Sequence, residues 1–262
     1  MTAAVPQRAG PPPTAAANAW AAAALLTGSL EPIAAKLGFH AAASIWELQL
    51  ARSIVAALAI VPLTRRIAPL PRGAATRVAL AGALLFSTST LMLLALSRLH
   101  VADVIAILSI TPATVAIATW VLTRAPLGRR FVGGMALSIV GVAATTGALR
   151  GSIDDAMGVV CALGAVASST TYRLTVENVT TATDPAVASS WIYLVHGALA
   201  LALLGPWVGL PSVAAWTAGS WTGIAAAVSY AVRHPRRERA HADRAVVVRS
   251  RWAFAMRRCR AG

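Results

Sequence analysis

The chain has 262 residues, of which 57% are hydrophobic and 12% charged, and its mean hydropathy is +0.68. A water-soluble domain carries roughly 25% charge, so this composition argues for a membrane protein and against a soluble enzyme. The formal charge of +14 is uneven: residues 1–232 hold 13 basic and 7 acidic groups, whereas residues 233–262 hold ten Arg against Glu238 and Asp243. Two cysteines, Cys161 and Cys259, and five histidines without ligand spacing give no basis for a disulfide framework, a metal site or thiol catalysis, and no cofactor is expected.

Residues 1–14, with Pro6, Pro11, Pro12, Pro13 and one charge at Arg8, read as a disordered arm. A cleaved signal peptide is the competing reading, but the next apolar stretch is too long for an h-region. Apolar runs of about 18 or more residues read as membrane-spanning helices. They are expected at 15–37, 41–63, 75–96, 101–122, 131–149, 156–174, 186–208 and 218–232, the last cut short by Arg233. The expected fold is therefore an all-α integral membrane protein of about eight transmembrane helices.

Loop charges orient the spans, because Lys and Arg accumulate on the cytoplasmic side. The loop after span 2 has Arg65, Arg66, Arg72 and Arg77, and that after span 4 has Arg124, Arg129 and Arg130. The opposite loops have Lys36, Arg98 with Asp103, and Arg150 with Asp154 and Asp155. This alternation places the N-terminus in the cytoplasm of a multi-pass cell-membrane protein. Trp46, Trp207, Trp216 and Trp221 fall near expected outer span ends and Trp120 near an inner one, as interfacial belts do.

Ionisable groups inside spans are costly enough to be default functional candidates. Glu31 lies roughly 24 Å along span 1, and Glu47 and Arg52 lie roughly 9 and 17 Å into span 2, at 1.5 Å per residue. The carboxylates share a depth, but Glu47 and Arg52, five apart, are on different faces, so Arg52 is expected to pair with Glu31 or with backbone carbonyls. One reading makes this an outer vestibule in which Glu31 or Glu47 takes up protons and Arg52 orients an anionic or zwitterionic substrate. The other has Glu47 and Lys36 snorkelling to the headgroups and Arg52 in a structural pair. Pro32 and Pro112 free mid-helix carbonyls that line a cavity, hinge a gate or simply mark kinks. His196 is either a polar group of the pathway or a core histidine bonded to a neighbour such as Ser189 or Ser190. Gly158 and Gly164 with Ala162, Ala165 and Ser168 form a small-residue face for close helix packing.

Shifting the chain by 145 residues lays Ala41-Ala-Ala-Ser-Ile-Trp46 on Ala186-Val-Ala-Ser-Ser-Trp191 without a gap. The offset pairs span 2 with span 7, giving a five-helix unit, and an odd number of crossings inserts the two copies in opposite orientations, an arrangement recurrent in secondary transporters. The units expected are 15–150 as a first five-helix repeat and 151–232 as a partial second repeat of three helices.

With these features the chain resembles the EamA-type members of the drug/metabolite transporter superfamily. Gly28-Ser-Leu-Glu-Pro-Ile-Ala-Ala-Lys36, Leu50-Ala-Arg52, Leu108-Ser-Ile-Thr-Pro112 and the pair Gly134 and Gly141 are similar to that family's local patterns, in order, over residues 17–232. The resemblance implies an inverted five-plus-five architecture and transport of a small metabolite or drug-like solute. Thr123-Arg124-Ala125-Pro126 differs from the Glu that members usually place after span 4, and helices 9 and 10 have no counterpart.

The expected function is secondary transport or export of a small solute, with membrane lipid around the protein and with proton coupling and a homodimer both compatible with the pattern. No enzyme activity is expected, since no HExxH, GxSxG, paired Asp or Ser/Lys constellation occurs. Residues 233–262 use Arg without Lys and interrupt span 8, which reads as an out-of-frame stretch of a GC-rich gene and leaves a truncated, non-functional transporter as the alternative. A genuine basic tail holding anionic lipid is the other reading of that segment, and nucleic acid is not an expected partner.

Overall fold

The computed structural model of the protein describes residues 15–64, 68–71, 73–124, 128–145, 155–180 and 183–231. The N-terminal arm, the Arg-rich segment and the loop charges Arg65, Arg66, Arg72, Arg150 and Asp154 lie outside the described residues. The described residues form nine helices: α1 (Ala15–His40), α2 (Ile45–Thr64), α3 (Ala74–Arg98), α4 (Val101–Leu108), α5 (Thr111–Thr123), α6 (Arg129–Thr145), α7 (Ala156–Thr180), α8 (Pro185–Val208) and α9 (Val213–Ala231).

Helix is what these segments must form in hydrocarbon, where each backbone N–H and C=O has to be paired within the segment. Ala- and Leu-rich sequence also favours it intrinsically. Among the described residues, Ile45–Pro62, Ala74–Arg98, Val101–Thr123, Ala156–Thr180 and Pro185–Val208 are long and apolar enough to cross a membrane. The protein is a multi-pass helical membrane protein.

Polar side chains at the ends set where several helices begin. Asp155 accepts from Gly158 N–H at 2.9 Å to start α7, and Asp184 accepts from Ala186 N–H at 2.8 Å, with Pro185 at the first position of α8. Ser212 accepts from Ala215 N–H at 3.3 Å to start α9. Helix α9 thus begins at Val213 and runs 19 residues. The expectation of a short span starting at 218 is corrected by this cap, which recruits Val213 to Thr217 into the helix.

Two further boundaries differ from the sequence reading for identifiable reasons. Span 2 does not start at Ala41: Ala41 to Ala43 form a turn with Ala42 in the left-handed region at φ 62°, and α2 begins at Ile45. Span 4 is not one uninterrupted helix, because Pro112 has no N–H to give to the Leu108 carbonyl. The Thr111 hydroxyl donates to that carbonyl instead, at 2.7 Å, and the backbone breaks at Ser109 and Ile110 between α4 and α5.

The bundle is interlocked. Helix α2 packs against α8 and α9, α3 against α7 and α8, α1 against α9, and α7 also against α4 and α5. Close approach happens at glycines, as expected where apolar helices lack a hydrophobic drive between them. A Cβ at Gly158 of α7 would lie 2.7 Å from Leu99 at the C-cap of α3, one at Gly82 of α3 would lie 2.5 Å from Val195 of α8, and one at Gly38 of α1 would lie 2.8 Å from Ala218 of α9. Leu48, Leu93, Leu96, Val104 and Ala162 fill the largest apolar cluster between these helices. Exposed apolar side chains face outward, among them Leu26, Leu30, Ile33 and Leu37 along one stripe of α1, and Trp207 and Trp221 are likewise exposed, at 88% and 69%.

Candidate functional site

Arg52 of α2 and Glu31 of α1 form an ion pair in the interior, with side chains 7% and 14% exposed. The depth argument brought these two residues together, and the packing of α9 explains how. Helix α9 meets α2 at Gly219 and Gly223: a Cβ at Gly219 would lie 2.9 Å from Arg52 N, and one at Gly223 would lie 2.7 Å from Arg52 O. With α9 seated directly on the Arg52 backbone, the guanidinium reaches Glu31.

It projects into a cavity of about 410 Å³. Glu31 and Arg52 line it together with Thr88 and Ser89 of α3, Thr111 and Pro112 at the α4–α5 break, Tyr172 and Arg173 of α7 and Tyr193 of α8. The walls therefore come from both halves of the chain. Arg52 Nη1 has no hydrogen-bond partner among the described residues. An unused, buried N–H pair of a permanently charged group is a ready donor for a carboxylate or another anion, and the neighbouring carboxylate of Glu31 suits a proton or an ammonium.

Three of the candidates, Glu31, Arg52 and Pro112, thus share one cavity. Glu47 is elsewhere. Its Oε2 accepts from Ser44 N–H at 2.9 Å while Ser44 Oγ accepts from Glu47 N–H at 3.2 Å, the reciprocal pattern of a capping box. Its Oε1 accepts from Ser212 N–H at 3.0 Å and ties the start of α9 to the start of α2. Both carboxylate oxygens are engaged in holding helix ends. Lys36 Nζ donates to the carbonyls of Leu96 at 2.8 Å and Leu99 at 3.1 Å, capping the end of α3.

His196 also lies off the cavity, and its partner is neither Ser189 nor Ser190. Those hydroxyls donate to the carbonyls of Pro185 and Ala186 one turn back. His196 Nε2 lies 2.7 Å from Ser53 Oγ of α2, and its ring is flanked by Phe86 at a centroid distance of 6.0 Å and Tyr193 at 6.2 Å. Sequence proximity misled here because α8 packs on α2 along its length. Gly158 and Gly164, assigned to close packing, meet Leu99 at the C-cap of α3 and Leu91 of α3, and Thr88 Oγ1 donates to Ser168 Oγ at 3.0 Å on the same face.

Some of these features had signals the sequence reading passed over. Ser44-Ile-Trp-Glu47 is a capping-box pattern, Gly219-Ser-Trp-Thr-Gly223 is a GxxxG pattern, and Ser87-Thr-Ser-Thr90 is a run of four hydroxyl residues inside an apolar span. Tyr172, Arg173 and Tyr193 had none, since a polar residue in a helix says nothing of which interior it faces.

The model of the EamA-like transporter family matches residues 15–147, half of the chain, from the start of α1 to just past α6. The chain belongs to the EamA-like transporter family. No curated protein and no solved structure matches it. The matched segment of this EamA-like chain contains Glu31, Arg52, Thr88, Ser89, Thr111 and Pro112, while Tyr172, Arg173 and Tyr193 complete the cavity from beyond it. No group of three or more His, Cys, Asp or Glu that could hold a metal occurs among the described residues.

Proposed function

We propose that this EamA-like protein is a secondary transporter or exporter that moves a small anionic or zwitterionic solute across the cell membrane through the cavity at Arg52. The observation that carries the reading is the buried Arg52–Glu31 pair in a 410 Å³ cavity walled by helices from both halves. An intramembrane pair bordering a cavity is the usual mark of a solute or proton pathway. Arg52 orients the anionic end of the solute through its unused Nη1, and Glu31 exchanges Arg52 for a proton or for the cationic end. Breaking and remaking that pair couples solute entry to a change in helix packing, and Pro112 at the α4–α5 break is where the wall bends. The protein works by moving a solute and not by turning one over.

The architecture in this reading is eight crossings with the N-terminus cytoplasmic, α4 and α5 together making the fourth. It is an inverted repeat in which α7, α8 and α9 correspond to α1, α2 and α3. Packing partners support this correspondence because they interchange under it. The pair α3·α7 becomes α9·α1, the pair α2·α9 becomes α8·α3, and α2·α8 maps onto itself, and all five contacts are among the most extensive in the bundle.

The test is reconstitution of the full chain in proteoliposomes, with uptake of a panel of radiolabelled small zwitterions and carboxylates measured with and without a pH gradient. Saturable uptake of one member is expected, lost in Arg52→Ala and insensitive to the gradient in Glu31→Gln. Uptake of every member at the rate of empty liposomes would end the proposal.

A further inference from the structure

The turn of α2 that carries Arg52 is held from two sides, and the protons in its hydrogen bonds can be counted. Ser53 Oγ lies 2.7 Å from the Gln49 carbonyl oxygen and 2.7 Å from His196 Nε2. Gln49 Nε2 lies 3.3 Å from Ser53 Oγ and 2.8 Å from Ser89 Oγ. A backbone carbonyl only accepts, so the single hydroxyl proton of Ser53 goes to the Gln49 carbonyl, and that of Ser89 goes to the Phe86 carbonyl at 2.9 Å. Both serine oxygens are then acceptors. This turns the Gln49 amide NH₂ towards them and requires His196 to carry its proton on Nε2.

Two acceptors are left over, Gln49 Oε1 and the other ring nitrogen. His196 is 2% exposed, and its Nδ1 is buried with no hydrogen-bond partner among the described residues. A second proton there would have no acceptor, so the ring is neutral in this arrangement. Its plane is set by Phe86, edge-on at 84°, and by Tyr193, stacked at 16°. The next residue fixes the spacing: a Cβ at Gly197 would lie 2.7 Å from Ala57 Cβ and 3.3 Å from Ser53 O. Helix α8 therefore presses on the Ser53 backbone while α9 presses on that of Arg52.

We propose that His196 is a positioning residue, held as the neutral Nε2–H tautomer, whose bond to Ser53 keeps the Arg52 guanidinium on Glu31. It neither carries the transported proton nor touches the solute. This deepens the transport reading and rests on its choice of Arg52 and Glu31 as the working pair.

Two measurements on the full chain in lipid nanodiscs test it. Modification of Arg52 by phenylglyoxal, followed by peptide mass spectrometry, reports how well the guanidinium is held. The rate should rise about tenfold in His196→Leu and in Ser53→Ala, the loss of roughly one buried hydrogen bond, and stay within about twofold in His196→Gln, whose amide N–H reaches the place of Nε2. An unchanged rate in His196→Leu, or an equal rise in His196→Gln, would overturn the proposal. Histidine side-chain nitrogen NMR of the unsubstituted chain, assigned by the signal missing in His196→Gln, should show a neutral ring protonated on Nε2 from about pH 5 to 8. An imidazolium or an Nδ1–H tautomer would overturn it even if His196→Leu and Ser53→Ala fail to fold. Neither readout uses solute flux, so a chain that moves no solute yet passes both tests loses the transport reading and keeps the positioning role.

Discussion

Removing the two members of the Arg52–Glu31 pair should have unequal effects, and the order follows from which charge is left behind. With side chains 7% and 14% exposed, the pair is largely desolvated. Glu31→Leu strands a guanidinium that cannot release its proton, at a cost of about 3 kcal/mol, the range both for breaking a buried pair and for an uncompensated Arg at membrane depth. Arg52→Met strands a carboxylate instead, which takes up a proton and becomes a neutral group in need of one hydrogen bond, at about 1–2 kcal/mol. The double substitution leaves no charge, so it should be close to the milder single variant, with a coupling of about 3 kcal/mol. Equilibrium unfolding of the four proteins in mixed micelles gives all the terms of the cycle. Additivity within about 0.5 kcal/mol, or a larger loss in Arg52→Met than in Glu31→Leu, would refute the reasoning.

Gly223→Ala should destabilise the bundle by about 1–3 kcal/mol, because its Cβ would meet a backbone oxygen of α2 that cannot move aside, whereas Gly133→Ala, with nothing within 4 Å, should be neutral or slightly stabilising in the same thermal melts. Ser44→Ala should cost about 1 kcal/mol by removing half of the capping box at α2, and Glu47→Gln less, since one oxygen still accepts; identical melts for Ser44→Ala and the parent chain would contradict the cap. The Gly158 N–H bonded to Asp155 holds that carboxyl below the usual carboxylate range, against an opposing effect of burial and with help from Arg98. Its contribution is therefore complete above the unfolded value near 4 and fades as pH falls through the lower folded value, so Asp155→Asn should flatten the acid side of a stability–pH profile. Substituted cysteines at Arg72 and Arg77 should be blind to an impermeant reagent added outside intact cells, and labelling there would overturn the cytoplasmic placement of the N-terminus.

The class of this protein was legible in sequence because hydrocarbon imposes one local rule, an apolar run of sufficient length folded as helix. That rule needs no knowledge of neighbours, which is why α3, α6, α7 and α8 begin within two residues of the expected spans. The Arg52–Glu31 pair was legible for a related reason. Rise per residue fixes depth, and two opposite charges at compatible depth in adjacent helices have few other places to go.

Depth says nothing about azimuth, and everything that depended on azimuth was decided by tertiary structure. Ser53 meets His196 across a separation of 143 residues, and Lys36 reaches carbonyls 60 and 63 residues away, because α8 lies on α2 and α1 reaches the end of α3. The apolar composition that announced membrane helices also erased the amphipathic stripe by which a soluble helix reveals its inner face. Close approach between these helices falls at glycines 82, 158, 197, 219 and 223, where a Cβ would meet the neighbouring helix or its cap. Helices α7 and α8 bring Tyr172, Arg173 and Tyr193 to the cavity that Glu31 and Arg52 line, a meeting that only the packed bundle decides.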